Sequence, residues 1–470
     1  MASAHEFDVV VIGAGPVGEN VADRAVQGGL TAAIVESELV GGECSYWACM
    51  PSKALIRPVQ ARTEARSVAG SRQAVTGPLD VAAVLGRRDS FTSHWDDAGQ
   101  VEWLDGAHIA LFRGHGRLLG PRRVQAGDAE LTARHAVVIA TGTAAAIPPV
   151  PGLAEAGPWT SREATSAKEA PGRLIILGGG VVGCEMAQAW AALGSRVTLV
   201  ERSDHLLAGH EPFAGQMVAA AMSGDGIDVR TGRLAQAVTR PGGTGPVTVT
   251  LDDGSEVEGD EVLVAAGRRP QTGDVGLETV GLEPGSWLEV DDSMRVRSVG
   301  DGWLYAAGDV NHRALLTHQG KYQARICGDV IAARAKGSVT PAEWDRYSAT
   351  ADHAAVPAVV FTSPEVAGVG LTASAAQAAG LDIRVVEIPI AVAGSSLFAD
   401  EYEGRAAMVV DETRRVVVGA TFVGPGVAEL LHSATVAVVG QVPLERLWHA
   451  VPSYPTISEV WLRLLESYGL

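Results

Sequence analysis

The sequence predicts an α/β fold in which parallel strands alternate with helices, and three observations predict it. Residues 7–12 (FDVVVI) are an unbroken apolar, β-branched run of the kind that lies buried on both faces of a parallel sheet. Gly13, Gly15 and Gly18 follow at G-x-G-x-x-G spacing and open a helical stretch over about 16–29, with a second strand over about 31–35 that ends at Glu36. The arrangement then recurs: RLIIL at 173–177, Gly178, Gly180 and Gly183, a helix, and RVTLV at 196–200 leading to Glu201. The three glycines and the acid are all displaced by the same 165 residues (178 − 13 and 201 − 36 alike).

Each piece has a physical task. The first glycine turns the chain off the strand, the second lets a pyrophosphate approach the backbone, and the third lets helix and strand pack closely. The helix N-terminus stabilises phosphate charge through its free N–H groups, and the acid accepts hydrogen bonds from a ribose diol. A single such spacing in a chain with 56 glycines is compatible with an ordinary turn. Two copies in matching β-α-β frames point to two Rossmann-like dinucleotide-binding domains. A carboxylate at the ribose position favours a 2′-hydroxyl over a 2′-phosphate, so Glu201 favours NAD, while the adjacent Arg202 leaves NADP open.

Composition bounds the rest. The chain has 470 residues, enough for two to four domains, with 47% hydrophobic and 20% charged residues, so it buries large cores. Its 37 Lys+Arg against 55 Asp+Glu leave a net charge of −18, which argues against nucleic acid or an anionic membrane as partner. Residues 1–7 carry Glu6 and no basic residue, unlike an export signal, and the uncharged stretch 136–154 is broken by Pro148, Pro149 and Pro151. Four cysteines in so long a chain are not a secreted disulfide scaffold. The expectation is a soluble cytoplasmic enzyme with no metal site.

After the first glycine loop comes GGECSYWACMPSK, residues 41–53. Cys44 and Cys49 are four residues apart, and Pro51 with its small neighbours suggests a turn opening a helix, where thiols ionise more readily. Two buried structural cysteines are the alternative. Here the sequence resembles the class I pyridine nucleotide-disulfide oxidoreductases, the family of dihydrolipoamide dehydrogenase and glutathione reductase. Further matches are ATG at 140–142, GRRP at 267–270, AGD at 307–309 and FTSPEVAGVGLT at 361–372.

The resemblance implies roles. Gly13, Gly15, Gly18 and Glu36 would hold the ADP half of FAD, and Asp309 its ribitol. Gly42, Thr141, Gly142, Gly267, Arg268 and Gly308 would be further cofactor contacts. Gly178, Gly180, Gly183 and Glu201 would hold the nicotinamide cofactor. Cys49 would sit against the flavin, Cys44 would face the substrate, and Lys53 would pair with Glu185. The implied organisation is a FAD-binding domain over 1–150 and 271–349, an NAD(P)-binding domain over 151–270, and an α+β dimerisation domain over 350–470 in a homodimer.

The pattern breaks at the C-terminal signature. The family's His-Pro-Thr-x-x-Glu, whose His is the acid/base for the interchange thiol, reads Tyr454-Pro455-Thr456-Ile457-Ser458-Glu459 here. A histidine ionises near pH 6.5 and a tyrosine near 10, so ionising Tyr454 at neutrality costs about 4 kcal/mol. Tyr454 suits proton donation to a leaving thiolate and makes a poor base for an incoming dithiol. Oxidation of dihydrolipoamide is therefore demoted and reduction of an acceptor by NAD(P)H favoured. His449 does not match the family position and reads as a surface or core histidine. Tyr46 and Trp47, between the cysteines, either pack the core, narrow the pocket or offer a stacking surface. Soluble transhydrogenases and some quinone reductases also carry Tyr-Pro here, many without paired cysteines. Two rival readings follow: a diaphorase, quinone reductase or transhydrogenase-like enzyme whose flavin reduces the acceptor directly, and a non-catalytic redox sensor.

Overall fold

The computed structural model describes residues 4–337 and 339–470. The chain forms two compact units, each assembled from segments distant in sequence.

The first unit gathers residues up to 51, 89–145 and 268–352. Its seven-stranded sheet holds four parallel strands in the order Ile109–Arg113, Ala32–Glu36, Ala4–Ile12 and Ala129–Ile139. The last of these has a divided outer edge. Arg123–Ala126 pairs antiparallel with its first half, and Leu304–Ala306 pairs parallel with Val137–Ile139. Val9, Val10 and Val11 are fully buried, as a strand covered on both faces requires. Register sets Ile12 beside Val35 on one side and Ile139 on the other, and Ile139 beside Ala306. The carboxyl ends of these strands therefore deliver Gly13, Glu36, Ala140–Gly142 and Gly308 to one edge of the sheet, where α/β folds bind ligands.

Helix Pro16–Gln27 packs on helix Thr317–Lys336 through glycine. A Cβ at Gly320 would lie 2.7 Å from Val17 Cγ2, and one at Gly328 2.5 Å from Arg24 Cβ. These approaches bring the start of the later helix close to the first glycine loop.

The second unit gathers residues 52–88, 146–267 and 353–470. Its parallel sheet runs Asp228–Thr231, Arg196–Glu201, Arg173–Leu177, Glu261–Val264. A three-stranded antiparallel sheet, Ala235–Thr239, Val247–Leu251 and Glu256–Gly259, shares a core with it. The C-terminal part is a five-stranded antiparallel sheet in the order Pro357–Val360, Glu365–Gly370, Val416–Gly424, Arg405–Asp411, Ile383–Pro389, with helices Val427–Val439 and Val460–Tyr468 against it. The α/β class with a C-terminal α+β element is thus present. Among the described residues no helix is long and apolar enough to cross a membrane.

Candidate active site

The first glycine loop is fixed by backbone contacts that tolerate no side chain. Gly13 has φ 103°, and a Cβ there would lie 2.5 Å from Ala140 O. A Cβ at Gly18 would lie 1.9 Å from Gly13 O. Gly15 precedes Pro16, which sits in the first helical turn where its missing N–H costs nothing. Glu36 closes the loop: its Oε2 accepts from Ala14 N at 2.7 Å and its Oε1 from Glu38 N at 2.8 Å.

The dithiol segment is stitched onto this loop. Gly41 N donates to Ala14 O at 2.8 Å, and a Cβ at Gly42 (φ 56°) would lie 2.8 Å from Gly15 Cα. The short helix Gly42–Tyr46 carries Cys44, and helix Cys49–Arg66 begins on Cys49. Neither cysteine is in a disulfide; both are half-buried, and their thiols are hydrogen-bonded to each other. Cys49 Sγ also lies 3.2 Å from Thr317 Oγ1 at the start of helix Thr317–Lys336. The bond to Cys49 and burial push the Cys44 thiol well above its ordinary range, while Thr317 and Lys321 favour its anion. Such a pair shares a proton, and its first ionisation belongs to the couple rather than to one sulfur. Tyr46 is buried and its hydroxyl donates to Val40 O at 3.1 Å, so of the readings of this residue the packing one holds.

Around the same sheet edge, Thr143 Oγ1 donates to Asp309 Oδ2 at 2.7 Å, and burial raises the Asp309 carboxyl. Arg268 Nη2 donates to Thr143 O at 2.8 Å and lies 3.7 Å from Glu43 and 3.9 Å from Asp309. Gly308 (φ 80°) donates to Gln323 Oε1 at 2.8 Å, and Gly142 turns with φ 68°. Thr141 Oγ1 is buried with no hydrogen-bond partner among the described residues.

In the second unit the geometry repeats. Gly178 has φ 116° and its Cβ would lie 2.4 Å from Ala265 O, while a Cβ at Gly183 would lie 1.9 Å from Gly178 O. Glu201 Oε2 accepts from Gly179 N at 2.6 Å and its Oε1 from Ser203 N at 2.7 Å. Burial opposes its ionisation, but these N–H groups and Arg202 hold it below the usual carboxylate range. Gly180 faces open space. Gly267 turns with φ 132° before Arg268.

Lys53 Nζ pairs with Glu185 Oε2 at 2.7 Å; Glu185 is 3% exposed, and its Oε1 accepts from Phe361 N at 3.0 Å. Lys53 also sits 5.0 Å over the Phe361 ring. Tyr454 is 77% exposed. Glu459 is buried: its Oε1 pairs with Arg463 at 2.7 Å, and its Oε2 has no partner. His449 lies exposed on the surface.

Sequence reasoning missed Thr317, Lys321, Glu19 and Gln323. Thr317 touches Cys49 across 268 positions, and no local pattern encodes such a contact. Lys321 carried one usable signal, as one of only four lysines in the chain.

Comparison with known proteins accords with this geometry. Residues 7–334 match the model of the pyridine nucleotide-disulphide oxidoreductases, and residues 356–464 match that family's dimerisation domain. The dihydrolipoyl dehydrogenase of Thermus scotoductus is 32% identical over 468 residues, covering 98% of this chain and 97% of that protein. The mercuric reductase of Staphylococcus aureus is 29% identical over 456 residues, covering 97% of this chain and 81% of that protein. The crystal structure of LpdA from Mycobacterium tuberculosis superposes with a TM-score of 0.82 at 26% identity, covering 99% and 100% of the two chains. The flavoprotein disulfide reductase RclA of Escherichia coli, in its Cu(II) complex, shares the fold with a TM-score of 0.82 at 23% identity, covering 98% and 99%.

Proposed function

The chain belongs to the pyridine nucleotide-disulphide oxidoreductases, enzymes that use FAD and NAD(P)H, and we propose that it passes electrons from NAD(P)H, NADH by preference, through Cys44 and Cys49 to a small disulfide or a related acceptor. The observation that carries this reading is the contact of the two thiols with each other at the very edge where the first glycine loop ends.

The first unit fits FAD on its own chemistry. Gly13, Gly15 and Gly18 leave backbone bare for a pyrophosphate, Glu36 at the end of the second strand would take the ribose, and Thr141 Oγ1 is a buried polar atom without a partner among the described residues. Asp309, Gly42, Gly142, Gly308 and Arg268 would complete that site. Gly178, Gly180, Gly183 and Glu201 would hold the nicotinamide cofactor, with Gly267 flanking. Residues 1–150 and 271–349 would thus serve FAD, 151–270 NAD(P), and 350–470 the contact between two copies. FAD, when bound, supplies a two-electron relay between nicotinamide and dithiol.

The protein's own steps balance as thiol–disulfide exchange. The Cys44 thiolate attacks one acceptor sulfur, and the other sulfur leaves as a thiolate that takes up a proton. Cys49 then attacks Cys44 in the mixed disulfide, forming the Cys44–Cys49 bond and releasing the second acceptor thiol. Two electrons from NAD(P)H restore the dithiol. Tyr454, from the partner copy, would donate the proton to the leaving thiolate, with Glu459 behind it. Lys53 would act as an ion pair with Glu185, as the 2.7 Å contact between them supports.

Anaerobic reduction of the holoprotein with NADH, then with NADPH, tests this. The expected result is a long-wavelength thiolate-to-flavin band, lost in Cys49→Ser, and a dimeric mass in solution scattering. Undiminished NADH:quinone turnover in Cys44→Ala would favour the diaphorase reading, and flavin binding without turnover on any acceptor would favour the sensor.

A further inference from the structure

We infer that Lys321, with Glu19 behind it, is a positioning residue that supplies from within one subunit the counter-charge to the Cys44–Cys49 pair. The inference rests on the redox reading of that pair and deepens it.

Helix Thr317–Lys336 touches the dithiol at its first residue, where Thr317 Oγ1 lies 3.2 Å from Cys49 Sγ. Lys321 is four residues on, one turn along the same face. Between them Gly320 packs so closely on Val17 that no side chain fits, which holds this turn of the helix against helix Pro16–Gln27. Two residues after Val17 on that helix comes Glu19, buried, its Oε1 without a hydrogen-bond partner.

The charges acting here can be named. Cys49, Thr317 and Lys321 act on the Cys44 thiol, and Lys321 and Thr317 are the two that favour its anion. Burial, opposed by Lys321 and reinforced by Glu36, raises Glu19 to about 7. Glu19 therefore changes charge at neutrality. Below that pH it is neutral and Lys321 acts on the dithiol alone. Above it, the carboxylate offsets the ammonium, and the thiolate fraction climbs with pH less steeply than a single ionisation gives. The Tyr454 position lacks the imidazolium that would otherwise stabilise an interchange thiolate. A cation held in the same subunit supplies that stabilisation without a base.

The test is the pH profile of iodoacetamide alkylation at Cys44 in the dithiothreitol-reduced holoprotein, mapped by mass spectrometry. Lys321→Met should slow alkylation at pH 7 about tenfold, the equivalent of one unit in the thiol's ionisation, and Lys321→Arg should restore it. Glu19→Gln should straighten the profile near pH 7 and speed alkylation at pH 8 about threefold. Superimposable profiles for wild type and Lys321→Met, or an unchanged shoulder in Glu19→Gln should Lys321→Met not fold, overturn the inference. A normal NADH-induced thiolate band alongside those unchanged profiles leaves the redox reading intact; absence of the band in wild type removes the redox reading itself.

Discussion

The two glycine loops were built to one specification and finished differently. In both, a Cβ at the third glycine would strike the carbonyl of the first at 1.9 Å, and in both the acid at the end of the second strand accepts a backbone N–H from inside the loop, Ala14 at 2.7 Å and Gly179 at 2.6 Å. They diverge at the second glycine. A Cβ placed on Gly42 of the dithiol segment would lie 2.8 Å from Gly15 Cα, and one on Gly15 would touch Gly42 Cα at 4.0 Å, whereas nothing lies within 4 Å of a Cβ placed on Gly180. They diverge again one residue past the third glycine, where the first helix buries Glu19 and the second buries Cys184, whose Sγ donates to Gly179 O at 3.3 Å. A loop closed over by its neighbour suits a cofactor that stays; an open one suits a cofactor that comes and goes.

The shared part should break hardest. In Gly18→Ala the new methyl meets backbone rather than a movable side chain, so the fold loses about 3 kcal/mol or more and flavin is lost from the purified protein. Gly183→Ala carries the same clash and should lower the melting temperature comparably. If Gly18→Ala melts like wild type, the contact that defines both loops does not exist in solution.

Glu19 gives the next largest effect, and its sign is opposite to that of an ion-paired carboxylate. Its folded value, about 7, lies above the ordinary 4.5, so the stability it contributes is complete below pH 4.5 and is lost as pH rises through 7. The loss amounts to about 3 kcal/mol at pH 8. Glu19→Gln should therefore match wild type at pH 4.5 and exceed it at pH 8 by denaturant unfolding. Equal stabilities at pH 8 would mean that Glu19 is solvated.

What was legible in the chain follows the same division. The FDVVVI strand, the glycine turns and their terminal acids were readable because backbone geometry demands those residue types within about 25 positions. The C-terminal sheet was named by resemblance, but its order, with Val416–Gly424 between Glu365–Gly370 and Arg405–Asp411, depends on pairing across long separations that no local pattern states. For the same reason Lys53–Glu185 came from family likeness, and Thr317 with Lys321 was not foreseen. The close approach of Gly42 to the first loop was hidden too: Gly15 and Gly180 are identical letters, and the 2.8 Å limit on a Cβ at Gly42 has no counterpart at Gly180.

That difference predicts a milder contrast. Gly42→Ala must hold a left-handed φ of 56° and approach Gly15 Cα at 2.8 Å, which costs about 2 kcal/mol and loosens flavin. Gly180→Ala has φ −78° and free space, so stability stays within about 0.5 kcal/mol of wild type. Its methyl instead occupies the approach of a pyrophosphate, so KM for NADH rises with flavin content unchanged. Equal flavin loss in both variants would show that the second loop is also closed.

The smallest effect is the most discriminating. The Glu201 carboxylate takes two backbone N–H groups, from Gly179 and Ser203, and on the proposed role its remaining lone pairs would accept from a ribose diol. Glutamine keeps one acceptor but turns an NH2 toward one of those donors, and it removes the negative charge that repels a 2′-phosphate. In Glu201→Gln, KM for NADH should rise several-fold while KM for NADPH stays level or falls, moving the NADH/NADPH ratio of kcat/KM about tenfold, or about 1.4 kcal/mol. Glu36→Gln, the matching change in the closed loop, should leave that ratio alone and weaken flavin retention during dialysis. Should Glu36→Gln shift the nucleotide ratio and Glu201→Gln release flavin, the resident and the exchanging cofactor belong to the opposite loops.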